Sequence, residues 1–64
     1  MSMADADLVW EYIQGIQFPK GREEVVSHAR SRNAPGDVVE MLSRLPDRQF
    51  ESAADVLTAV DLPE

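Results

Sequence analysis

Apolar residues recur every three or four positions in four stretches of this chain, and nowhere do they alternate over the length of a strand. In the first stretch Leu8, Val9, Tyr12, Ile13 and Ile16 share one side of a helix, with Asp5 or Asp7 as its cap and Gly15 at its stop. Phe18-Pro19 ends that unit. The second stretch predicts a helix from about Arg22 to Arg32. Val25, Val26 and Ala29 face inward, Glu23 and Glu24 stand at the positive end, and Arg30 and Arg32 stand at the negative end. Asn33 has the residue type that tolerates a left-handed C-cap.

The third helix is predicted to start at Ala34-Pro35, with proline in the first helical position, where its missing N–H costs nothing. Val38, Val39, Leu42 and Leu45 form its stripe, and Leu45-Pro46 closes it. Pro46 and Asp47 then suit the second and third positions of a type I turn, from which Arg48 would reach helix-end carbonyls or a carboxylate. Ser52, followed by Asp55 three residues later, reads as a near capping box opening a fourth helix with Ala53, Val56, Leu57 and Val60 on one side. The expected architecture is an all-α single domain of four short helices and no strand, covering residues 4–62. Met1-Ser2-Met3 is given no structural role, and Asp61 to Glu64 reads as an acidic tail. Leu8, Tyr12, Ile13, Ile16, Phe18, Val25, Val26, Val38, Val39, Leu42, Leu45, Phe50, Val56, Leu57 and Val60 are expected to share one core, with Phe50 between the last two helices.

Size and composition narrow the picture further. With 64 residues the chain buries only about 60% of the surface its unfolded form exposes, so every apolar position counts. There is no cysteine to supply a disulfide or a thiolate metal site. No apolar run approaches the length of a membrane span, and no signal-peptide pattern opens the chain, so a cytoplasmic protein without a membrane partner is expected. Twelve acids against six bases give a net charge of −6, which repels a nucleic-acid backbone at long range. Between Lys20 and Arg32 four bases face two acids, so this segment is locally +2 and the remainder −8.

Chemistry-bearing groups are sparse. His28 has no second ligand at metal-binding spacing and no nucleophile placed for it to activate, so it reads as a surface residue; no catalytic residue, metal or cofactor is expected. Trp10 is the exception to the apolar pattern, because it points about 130° away from the centre of the first helix's stripe. A tryptophan there either packs along an edge or anchors a partner. Met41, about 100° off its own stripe, is better read as filling a gap at the core boundary. Arg48, with Arg44 four residues earlier, is first of all a turn residue and secondarily a contact for an anion or a partner.

Taken together, Gly15-Ile16-Gln17-Phe18-Pro19, Asn33-Ala34-Pro35, Leu45-Pro46-Asp47-Arg48-Gln49-Phe50 and Ser52-Ala53-Ala54-Asp55-Val56 resemble domain of unknown function 2795, a family of small prokaryotic domains. The similarity runs from about Tyr12 to Val60 and rests on the order and spacing of all four segments. It implies a short acidic helical domain and transfers no catalytic residue. The chain departs from the pattern at Lys20-Gly21, where a Ser or Thr cap would be expected.

The reading that follows is a non-enzymatic interaction module, its partner a protein or a second copy, with Trp10, Arg44 and Arg48 as candidate contacts. The alternative is a helix-turn-helix-like nucleic-acid binder built from the second and third helices, contacting phosphate through Arg22, Arg30 and Arg32. Against it, the would-be recognition helix carries Asp37 and Glu40 where a reader of base edges needs Arg, Lys, Asn or Gln. An acidic decoy for another protein's nucleic-acid site is a third reading.

Overall fold

A computed structural model describes residues 3–61 of the chain. The elements run α1 (Met3–Ile13), β1 (Lys20–Gly21), α2 (Arg22–Ser31), α3 (Gly36–Ser43), β2 (Gln49–Phe50) and α4 (Ala53–Asp61). The four expected helices are present. The expectation of no strand is corrected by β1 and β2, which pair antiparallel with Lys20 opposite Phe50 and Gly21 opposite Gln49. Each strand has two residues, too short to show a period-2 pattern, and each leads directly or by a short bend into a helix. The pairing ties the start of α2 to the approach to α4. The radius of gyration is 10.2 Å, against about 11 Å for a compact chain of this length, so the helices close around a single core.

Helix ends account for most of the remaining differences. α1 already begins at Met3, so Asp5 and Asp7 lie inside it rather than at its cap. Asp7 remains near its N-terminal end, where a carboxylate favours the positive end of the helix dipole. Met1, Ser2 and the tail from residue 62 onward lie outside the described residues. At its other end α1 stops at Ile13, and Gly15 turns the chain away at φ +90°, open to glycine at no steric cost.

α2 starts at Gly21, which has no side chain to cap with; instead the Glu24 carboxylate reaches back to accept the Gly21 N–H at 2.7 Å. The same helix ends in a Schellman motif. Asn33 takes φ +62°, its N–H donates to the Arg30 carbonyl at 3.0 Å, and the Ala34 N–H donates to that of Ala29 at 3.1 Å. Pro35 is the N-cap of α3 at φ −57°, ψ 152°, one position earlier than expected: its carbonyl, not its ring, starts the helix by accepting from Val38 and Val39. After α3 the expected four-residue turn is replaced by a tighter one, in which the Arg48 N–H donates to the Pro46 carbonyl at 2.9 Å. The Leu45 carbonyl that a type I turn would use accepts instead from the Arg22 guanidinium at 3.2 Å.

Val9, Ile13, Val25, Val26, Ala29, Val38, Leu42, Leu45, Phe50 and Val56 make up the buried core. Val9 and Ala29 join the core predicted from the pattern, while Leu8, Tyr12, Ile16, Phe18, Val39, Leu57 and Val60 pack half-buried at its edge. Met41 is half-buried against the same cluster, as a boundary gap-filler should be.

Candidate interaction surface

The polar side chains show first where the chemistry of this domain is spent. Because α1 ends at a glycine, its last carbonyls lack helical partners. The Gln14 carbonyl is met from α2 by two donors, His28 Nε2–H at 2.9 Å and the Arg32 guanidinium at 2.8 Å. His28 is thus a docking residue and not merely a surface one. A cation at that spot also sits at the negative end of the α1 dipole. The signal for this was in the chain: a helix closed by glycine, followed one helix later by a histidine and an arginine four residues apart.

Arg48 serves the second junction. Its guanidinium lies 4.2 Å over the centroid of the Phe50 ring, donates to both oxygens of Asp55 at 3.1 and 3.3 Å, and donates to the Gln49 carbonyl at 3.0 Å. Asp55 accepts in addition from the Glu51 N–H at 3.0 Å, while its own N–H donates to Ser52 Oγ at 3.1 Å. Ser52 is therefore the N-cap of α4, and the shorter reach of Asp55 satisfies the residue before the cap. Hydrogen bonds from Arg48 and from the Glu51 amide hold the Asp55 carboxyl below the ordinary carboxylate range, and the same bond to Asp55 raises the Arg48 guanidinium further.

The remaining candidate residues fall on separate surfaces. Arg44 caps α3 and pairs with Glu40 one turn back at 2.6 Å, its side chain 65% exposed. With Asp37 and Met41 these two line a shallow open depression along α3. Arg44 and Arg48 thus bind acids on different helices, α3 and α4, and form no joint anion cradle. Arg22 is engaged with Leu45 and with Glu23 at 3.4 Å, Arg32 with Gln14, and Arg30 is exposed on the opposite flank of α2 from His28. The three arginines of the phosphate-binding alternative are directed to three different places. No group of three or more His, Cys, Asp or Glu residues able to hold a metal occurs among the described residues.

Trp10 differs from all of these. Among the described residues it is the large hydrophobic side chain left exposed, at 43%. Val9 and Ile13 take the buried side of α1, and Trp10 sits beside the outward row of Asp7, Glu11 and Gln14, all exposed. Asp7 and Glu11 escaped the sequence reading as companions of the tryptophan, although their spacing around it was visible.

The fold and the surface define a small acidic helical domain whose polar side chains serve mainly its own helix ends, and no described helix is long and apolar enough to cross a membrane. Residues 5–57 match the family described as protein of unknown function (DUF2795), and the chain belongs to that family. Comparisons with curated proteins and with solved structures give no match.

Proposed function

We propose that this domain is a non-enzymatic, cytoplasmic protein-interaction module whose contact surface centres on Trp10 of α1. The observation that carries the reading is the exposure of this indole, while the other large apolar side chains among the described residues are buried or half-buried. An amphipathic aromatic on a regular helix, held rigid by the core beneath it, is the type of anchor that dominates interfaces between proteins. Support comes also from how the other polar groups are used: Arg22, His28, Arg32, Arg48, Ser52 and Asp55 each bond a backbone group or a neighbouring helix. Arg44 and Arg48, partly exposed beside their acid partners, would serve as separate contacts away from Trp10.

Nucleic-acid binding has less behind it, since Asp37 and Glu40 are exposed on α3 and two of the three arginines are already donating to carbonyls. Affinity capture from the native host, with and without nuclease, separates the two. A protein partner retained after nuclease supports the module. Capture that disappears with nuclease, together with sequence-selective submicromolar binding at physiological salt, would replace it with the nucleic-acid reading.

A further inference from the structure

The charge of this chain is segregated in a way its total conceals. Residues 1–19 carry three acids and no base, and residues 49–64 carry four acids and no base. All six bases lie in residues 20–48, together with five acids. The fold lays α1 against α4 as well as α2, so Asp7 and Glu11 of α1 and Asp55 of α4 stand on adjoining helices. Two cations stand by these helices: Arg32 at the C-terminal end of α1, donating to Gln14, and Arg48, which pairs with Asp55 on α4.

Trp10 lies on α1 beside Asp7 and Glu11. Stepping around α1, Gln14 is about 40° from Trp10, Asp7 about 60° and Glu11 about 100°, all turned away from buried Ile13 and Val9. A residue stacking on the indole from solvent would therefore meet two carboxylates and a side-chain amide along the same outward edge. Three occupants can be weighed. A second copy docking through the same patch would gather Asp7 and Glu11 of both copies, four carboxylates, into one interface, since a two-fold interface uses the same patch on both subunits. An anionic partner is repelled in the same way. A cationic side chain gains twice, from the face of the indole and from the adjacent carboxylates. Arginine gains more than lysine, because its planar guanidinium stacks on the ring while its edge N–H groups remain free to bond a carboxylate.

We propose that the Trp10 surface docks a basic segment of another protein, with an arginine stacked on the indole and bonded to Asp7 or Glu11. This rests on the reading of Trp10 as an interface residue and adds the chemistry of the partner. Trp10 is the chain's one tryptophan, so its fluorescence reports occupancy of this site directly. The test titrates the full chain with an amphipathic helical peptide bearing arginine on its polar face, and with versions bearing lysine, glutamate or serine at the same positions. Expected are a change in Trp10 emission with the arginine peptide, weaker binding of the lysine peptide, and no binding of the glutamate peptide. Affinity for the arginine peptide should fall as salt rises. The paired variant Asp7→Asn with Glu11→Gln should weaken it severalfold, and a Glu23→Gln control should not.

Equal binding of the serine and arginine peptides would overturn the basic-partner inference while leaving Trp10 as an interface. Arginine-peptide binding, followed by titration calorimetry, that is indifferent to both the Asp7/Glu11 pair and Trp10→Phe would place the attraction elsewhere on an acidic protein and overturn it as well. Concentration-dependent dimerisation lost in Trp10→Ala would assign the surface to a second copy.

Discussion

Replacing Phe50 by alanine removes the buried side chain that anchors β2 to the core beneath the Arg48–Asp55 pair. Phe50 is 0% exposed, lies in β2 opposite Lys20 of β1, and has the Arg48 guanidinium 4.2 Å above its ring. Truncation of a buried phenylalanine costs about 3–5 kcal/mol in lost transfer energy and cavity. Loss of the cation stacked on the ring adds about 0.5–1 kcal/mol. A domain of this length has a total stability of about 3–10 kcal/mol, so Phe50→Ala is expected to leave much or all of the chain unfolded. Phe50→Leu makes the reasoning measurable, because it keeps most of the buried volume and deletes only the ring, at about 1–2 kcal/mol. In urea, with a slope of about 1 kcal/mol per M for so small a protein, its midpoint should fall by about 1–2 M in far-ultraviolet circular dichroism. A Phe50→Ala variant that stays folded with a midpoint within a few tenths of a molar of the wild type would refute the placement of Phe50 as the joint of this core.

Three further outcomes follow from the helix ends. Ser52→Ala should destabilise by about 1 kcal/mol with the folded helix content nearly intact, and a change below a few tenths of a kcal/mol would refute Ser52 as the cap of α4. Gly15→Ala should cost about 1–2 kcal/mol in thermal or urea unfolding although its Cβ would meet the His28 ring at an ordinary 3.8 Å, since the cost lies in φ +90°; a neutral substitution would contradict that backbone conformation. Asp55 titrates in the folded protein below its unfolded value of about 3.9, so the stability it gains from Arg48 and Glu51 is fully present above that pH and is lost as pH falls through the folded value. Asp55→Asn should therefore show a shallower acid-side decline than the wild type, and parallel profiles below pH 4 would show that the pair contributes nothing.

How far the sequence was legible can be traced residue by residue. The stripes were plain because a helix of eight or more residues repeats its period, and Ser52 and Asn33 are residue types whose side chain or backbone tolerance fixes a helix end locally. β1 and β2 were not legible, because two residues carry no alternation and their pairing joins segments far apart in the chain. The tight turn at Pro46 was misjudged for a related reason: the competing donor to the Leu45 carbonyl is Arg22, which only tertiary structure brings there. Trp10 was legible as an outlier from the angle around its helix, and its acidic neighbours Asp7 and Glu11 were legible too, since they lie on the same helix. The arginines were the least legible, since their type suits phosphate, carboxylate and carbonyl alike, and in the fold Arg22, Arg32 and Arg48 bond carbonyls.

The most direct test of Trp10 as the centre of a protein-binding surface compares Trp10→Ala with the wild type in two measurements on the same samples: unfolding midpoint, and retention of the nuclease-resistant partner from the native host. Truncation at a surface leaves the core filled, so the variant should keep a midpoint far closer to the wild type than Phe50→Ala does while losing the partner. A variant that retains the partner in full, or that loses stability as severely as Phe50→Ala, would contradict the account.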